Sequence, residues 1–162
     1  MPWAREEPLD DAARRERLDR FATEFREGRD WVYGIFDPSE TRVLGGTGLH
    51  ARSGPGVLEI GYWIHTEHTS QGLGSEATAA LTHVGFVHHG VDRIEIRCDP
   101  ANVRSRAIPR KLGYVDEITL RANTTTPDGR PRDTMVWAMT AESYPRSAAA
   151  RYVVRVSSND VA

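Results

Sequence analysis

The sequence predicts a mixed α+β fold, on three observations. Short β-type runs come in pairs near both ends, amphipathic helical stretches lie between them, and glycine or proline punctuates most junctions. The chain has 162 residues, 39% apolar and 27% charged. A chain of this size buries roughly 68–70% of its unfolded surface, enough for one core and one domain. Lys and Arg number 21 against 23 Asp and Glu, a formal charge of −2 that lacks the basic stripe of a nucleic-acid binder. One cysteine, Cys98, can form no internal disulfide and fits a reducing, cytoplasmic location. No apolar run approaches the roughly 20 residues of a membrane span, and the acidic start MPWAREEPLDD is not a signal peptide. A soluble domain with neither nucleic-acid nor membrane partners is expected.

Asp10 or Asp11 can cap a first helix, in which Leu18, Phe21, Ala22 and Phe25 repeat at helical spacing and Gly28 supplies the stop. Trp31–Phe36 and Arg42–His50 flank the turn Asp37-Pro38-Ser39-Glu40 and read as a hairpin. Val57–His65 is a third strand, leading to a helix from about Ser75 to His89 with Ala77, Ala80, Leu81 and Val84 on its buried face. In Arg93–Asp99, Ile94 and Ile96 alternate with Glu95 and Arg97, and Asp99-Pro100 ends the run. A second helix runs from about Val103 to Leu112 and stops at Gly113. Tyr114–Ala122 and Asp133–Thr140 are strands around a polar loop, Asn123–Arg132, and Arg151–Val156 is strand-like. Residues 1–145 form the domain and 146–162 a tail that could add a strand. Trp31, Trp63 and Trp137 are expected in the core, as is Cys98.

Between a strand and a helix lies Thr69-Ser70-Gln71-Gly72-Leu73-Gly74-Ser75-Glu76-Ala77. Glycines there let backbone N–H groups point at an anion, and the helix N-terminus adds positive potential: a pyrophosphate cradle needing no lysine. A glycine turn serving geometry alone remains the bland alternative. Gly72-x-Gly74-x-x-Ala77 also fits a dinucleotide fingerprint, with Asp92 near the spacing of the ribose acid. Against that, the polar stretch Thr66–Gln71 separates strand from glycines, and Asp92 precedes a strand instead of ending one. The Lys-Ser/Thr of a P-loop is absent. His65-x-x-His68 has metal-like spacing, but no Cys or carboxylate set completes a tetrahedron, so no metal is expected.

These residues resemble the GNAT family of acetyl-CoA-dependent N-acetyltransferases, whose signature is Arg/Gln-x-x-Gly-x-Gly/Ala. Leu58-Glu59-Ile60-Gly61-Tyr62-Trp63-Ile64 looks like its central strand, and Asn102-Val103-Arg104-Ser105 with Lys111-Leu112-Gly113-Tyr114 looks like its later Asn-x-x-Ser…Lys-Leu-Gly-Phe segment. The resemblance covers about Trp31 to Ala141 and is nearest to the ribosomal-protein (RimJ/RimL-like) branch. It implies a mixed, mostly antiparallel sheet with flanking helices and a splayed central strand pair. Against the family the chain looks short at the front, where a strand and a helix usually precede the segment that here starts at Trp3. A missing first strand would leave an edge that the tail could cover in cis or in a homodimer, unless the true start lies upstream.

The resemblance also implies acetyl-CoA as co-substrate. Its pyrophosphate would lie on the amides of Gln71, Gly72, Leu73, Gly74 and Ser75. Its pantetheine arm would pair with backbone near Trp63 and Ile64, with Asn102 hydrogen-bonding the arm and Arg106 reaching the adenosine phosphates. Thr69 stands where the signature has Arg or Gln. Pro109 replaces a common tyrosine acid, and Arg97 a glutamate base. The implied reaction is direct attack of an amine, peptide or small molecule, on the thioester. Neutralising an α-amine at pH 7 costs about 1 kcal/mol and a lysine about 4–5 kcal/mol, so a site without a strong base suits peptide N-termini or weakly basic amines. Glu59 is the candidate base, acting through water, or else a paired strand glutamate. Ser105 is the candidate donor to the leaving sulfur, or else a first-turn helix serine. The missing tyrosine and glutamate keep a second reading open, a catalytically silent acyl-CoA-binding module.

Overall fold

The computed structural model describes residues 10–157, so the segment around Trp3 lies outside the described residues. Helix α1 (Asp11–Arg26) starts at Asp10, whose carboxylate accepts from the Ala13 N–H at 2.7 Å. It ends just before Gly28, at φ +68°. The expected apolar face stands off the core, because α1 buries no residue and Leu18 is 62% exposed. Phe25 is its anchor, meeting Tyr33 edge-on with centroids 5.5 Å apart.

Strands β1 (Asp30–Phe36), β2 (Val43–His50), β3 (Val57–Ile64), β4 (Arg93–Cys98), β5 (Val115–Thr125) and β6 (Pro131–Thr140) form one sheet in the order β1-β2-β3-β4-β6-β5. All neighbours are antiparallel except β3 and β4, which the crossover helix α2 (Leu73–His83) makes parallel. Helix α2 runs on as a π-helical turn over Val84–His88, and α3 (Val103–Leu112) joins β4 to β5.

The core lies between the sheet and α2 and α3. Leu49, Leu58, Ile60, Ile94, Ile96, Leu112, Trp137 and Met139 fill it, with Cys98 among them. The buried stripe of α2 is Gly74, Ser75, Thr78, Ala79, Leu81 and Thr82; of the expected face, Leu81 lies in it and Val84 packs against the core, while Ala77 and Ala80 are only half-buried. Two threonines can be buried there because each hydroxyl donates to the carbonyl four residues back, at 2.7 Å. Trp63 is absent from this core. It projects from the opposite face of β3, where a Cβ on Gly46 would lie 2.5 Å from its indole Nε1.

Two further expectations are corrected. The span Asn123–Arg132 is strand at both ends: β5 and β6 pair out to Thr125 and Pro131, with a bulge near Ala122 (φ +48°), which leaves only a turn over residues 126–130. Residues 151–156 form no strand among the described residues. The chain after β6 folds into 3₁₀ turns at Tyr144–Arg146 and Ala149–Arg151, burying Ala149 and placing Tyr144 and Tyr152 against the core.

Candidate active site

Strands β3 and β4 pair only over Val57–Ile60 and Arg93–Ile96, although β3 runs on to Ile64 and β4 to Cys98. Beyond Ile60 the two diverge, and β3 keeps only β2 as a partner. The His65 N–H donates to Leu44 O at 2.8 Å, so by strand alternation the main-chain groups of Trp63 and Gly61 also face β2. Tyr62 and Ile64 therefore turn their N–H and C=O groups into the gap. Of the two residues whose backbone is expected along the gap, Ile64 faces it and Trp63 faces β2 instead, with Tyr62 on the gap side.

The glycine loop closes the wide end of the gap. Ser70 (φ +64°) and Gly72 (φ +92°) bend the chain so that Gly72 caps α2. The Ser75 and Glu76 N–H groups bond back to Gly72 O at 2.9 and 3.0 Å. Among the described residues, no acceptor is found for the N–H groups of Gln71, Gly72, Leu73 and Gly74. Four free donors at the positive end of a helix make an anion cradle. Ser75 sits at its buried rim with its amide already used. Gly74 lets α3 come close, since a Cβ there would lie 2.8 Å from Ile108 Cδ1. A strand-like arm carrying a pyrophosphate, as in acetyl-CoA, fits the gap and the cradle together: backbone pairing along one, free amides at the other.

On the far side of the gap, Asn102 caps α3 by accepting from the Ser105 N–H at 3.1 Å. Ser105 is buried, and its Oγ lies 3.2 Å from the Tyr62 hydroxyl, which also reaches Ser105 O at 3.1 Å. Burial pushes the Tyr62 pKa up to about 12, the hydrogen bond to Ser105 working in the opposite direction. Tyr62 therefore stays protonated at neutral pH. The period-2 pattern of β3 puts Tyr62 on the helix side with Leu58 and Ile60, the one sequence signal that could have singled it out. Arg106 donates to Pro100 O at 2.9 Å, securing the turn ahead of α3.

The other face of the sheet is ionic. Register places Asp30, His50, Glu59 and Glu95 in one row across β1, β2, β3 and β4. Both Glu59 oxygens accept from Arg52, at 2.5 and 3.1 Å, and Arg97 Nε stands 3.5 Å away. Glu95 accepts from Arg93 and Arg97 at 3.0 Å each. Burial would raise its pKa, but hydrogen bonds from Arg97 and Arg93 outweigh that and hold the carboxyl below the usual glutamate range. Arg93 also grips Glu117 with two bonds, at 2.6 and 2.8 Å. His65, Glu67 and His68, on the turn before the glycine loop, offer ligand atoms within 4.8 Å of one another. Glu67 thus adds to the histidine pair a carboxylate that the His65-x-x-His68 spacing leaves out, at an exposed turn.

The acetyltransferase (GNAT) domain family matches residues 1–115. The chain is 26% identical over 111 residues to the probable N-acetyltransferase YjcK of Bacillus subtilis (strain 168), covering 67% of this chain and 61% of YjcK. It is 27% identical over 152 residues to the ribosomal protein uS5-alanine N-acetyltransferase of Escherichia coli (strain K12), covering 88% of this chain and 76% of that enzyme. The solved structure of Mycobacterium smegmatis RimJ in complex with CoA-disulfide matches with a TM-score of 0.77 at 28% identity, over 86% of this chain and 66% of that one. This chain thus spans less than two thirds of the length of YjcK and of RimJ. With its open β3–β4 pair, its amide cradle and these relatives, the chain belongs to the GNAT acetyltransferase family, on the RimJ/RimL-like branch.

Proposed function

We propose that the protein transfers an acetyl group from acetyl-CoA directly to a primary amine, with peptide N-termini as the favoured acceptors. The observation that carries this reading is the pairing of an opened β3–β4 edge with the free amides of Gln71, Gly72, Leu73 and Gly74. Acetyl-CoA supplies the activated acyl group. The residues of this chain hold it: the main-chain groups of Tyr62 and Ile64 pair with the arm, and the loop amides take the pyrophosphate. Asn102 and Arg106 flank the entrance, one capping α3 and the other bracing the turn before it.

The acceptor amine approaches the narrow end of the gap from the ionic face and attacks the thioester carbonyl. Ser105, held at the gap by its cap and by Tyr62, donates a hydrogen bond to the departing sulfur. For this the Tyr62 O–H must donate to Ser105 Oγ, freeing the serine proton to point at the sulfur. Glu59 lies beside the last paired residue of β3, and Arg52 must release one of its oxygens before it can take a proton or order a water. Peptide acceptors fit a site whose carboxylates are mostly engaged by arginines, since an α-amine is easier to neutralise than a lysine. The uS5 relative, named as an alanine N-acetyltransferase, supports the same class.

The test is acceptor-dependent thiol release with acetyl-CoA and a panel of N-terminal peptides, polyamines, amino acids and aminoglycosides. Release with peptides beginning in a small residue is expected. Tight acetyl-CoA binding with no release across the panel would refute transfer.

A further inference from the structure

The ionic face holds one titratable pair that the reading above leaves without a task. We infer that Asp30 and His50 form a carboxylate–imidazole dyad whose free nitrogen is the proton acceptor for the incoming amine. The inference rests on the acetyltransferase reading and deepens it.

His50 Nδ1 lies 2.6 Å from Asp30 Oδ1, with the two side chains 19% and 28% exposed. A carboxylate accepts, so Nδ1 carries the hydrogen, and in the neutral tautomer that this fixes the lone pair is on Nε2. Among the described residues, Nε2 has no hydrogen-bond partner. Its direction is set by glycines. A Cβ on Gly48 would lie 2.9 Å from Nε2, and one on Gly61 would lie 3.3 Å from it. The imidazole thus lies flat over the Gly48/Gly61 pair of β2 and β3, and only glycine at both positions gives it that bed. Gly61 is the first residue of β3 after pairing with β4 ends, so Nε2 stands beside the narrow end of the gap. A cavity of roughly 220 Å³, lined by Glu24, Arg29, Asp30, His50, Ala51 and Arg52, opens next to the dyad, with room for an amine beside it.

The charged groups facing His50 come from every neighbouring element: Glu24 of α1, Arg29 of the following turn, Asp30 of β1, Arg52 after β2, and Glu59 directly across on β3. Glu59 is occupied by Arg52, whereas His50 needs no rearrangement to take a proton. Starting from the ammonium, one proton passes to Nε2 and on to solvent. The C–N bond then forms as the C–S bond breaks, and the second N–H proton is taken up by the departing thiolate.

The test combines acetyl-CoA affinity with turnover on a peptide beginning with Ala. His50→Ala should lower kcat by about 10²–10³-fold with acetyl-CoA affinity unchanged, and added imidazole should restore about tenfold of the loss. His50→Gln, which keeps the bulk, should be equally slow and without rescue. Asp30→Asn should lose about tenfold, the orienting partner being weakened. Turnover of His50→Ala or His50→Gln close to the parent's would overturn the dyad. So would a His50→Ala variant that loses acetyl-CoA affinity in step with kcat. A parent chain that does not bind acetyl-CoA sinks the acetyltransferase reading, and the dyad with it.

Discussion

The two sides of the β3–β4 gap are built from different material. The cofactor side is backbone: free amides of one loop, main-chain groups of one strand, and glycines that keep side chains out of the way. The ionic side is side chains from β1, β2, β3 and β4 brought into one row by register. A backbone site tolerates many sequences but no added volume. A side-chain row tolerates volume at its edges but not the loss of a partner. The two sides should therefore fail separately and in different ways.

The largest effect should come from adding volume on the cofactor side. Gly74→Val forces a branched side chain onto Ile108, where even a Cβ would come within 2.8 Å. Pushing α3 away costs about 1–3 kcal/mol and distorts the cradle. Calorimetric titration should show acetyl-CoA affinity reduced by well over tenfold, while the Asp30–His50 and Arg52–Glu59 contacts survive. A variant binding acetyl-CoA like the parent would show that the cradle does not depend on the α2–α3 approach.

The same division explains what the sequence made legible. Asp10, Gly28 and Gly113 mark helix ends through chemistry confined to a few residues, and the glycine loop is equally local, so all four could be read without a structure, whereas the capping role of Asn102 was not read. The ionic row was not legible, because Asp30 and His50 are 20 residues apart and meet only through hairpin register. Trp63 was misplaced for the same reason: apolar character says buried, but strand alternation decides which face it serves. The Asn123–Arg132 span looked like a loop because its residues are polar, yet an edge hairpin can be polar on both faces and still pair. The threonine stripe of α2 escaped because hydroxyls that bond their own helix count as apolar in packing.

The two faces should also lose stability at opposite ends of the pH scale. On the ionic face, Glu95 and Glu117 are held below their ordinary range, Glu95 by arginine hydrogen bonds that outweigh its burial and Glu117 chiefly by its bond to Arg93. Groups with depressed values contribute stability above the unfolded value of about 4.5, and that contribution is lost as pH falls through the folded values. On the helix side, burial raises Tyr62 to about 12 and raises Tyr114 as well. Raised groups contribute stability below the unfolded value of about 10, and that contribution is lost as pH climbs toward the folded values. The Tyr62 share amounts to roughly 2–3 kcal/mol. Thermal melts should therefore hold level from pH 6 to 9, fall below about 4.5 and fall again above about 10. Removing the ionic partner with Glu117→Gln should soften the acid edge and leave the alkaline one alone. A melt equally affected at both edges would mean that the faces do not titrate independently.

The smallest effect probes the residue that ties the gap to α3. Tyr62 gives its main chain to the gap and its hydroxyl to Ser105. Tyr62→Phe keeps the ring and removes one buried hydrogen-bonding group, a cost of about 1 kcal/mol in chemical denaturation. Acetyl-CoA affinity should hold, because the backbone that pairs with the arm is unchanged. Turnover should fall by only a few fold, because Ser105 keeps its cap and loses only the donor that orients its hydroxyl. The alkaline loss of stability should shrink to the part carried by the other groups that burial raises, Tyr33, Cys98, Tyr144 and Tyr114, the last keeping its own bond to Thr82 at 2.7 Å. If affinity falls while turnover of bound substrate holds, the tyrosine ring shapes the cofactor gap. If turnover falls by as much as in Ser105→Ala, the hydroxyl and the serine act as one donor.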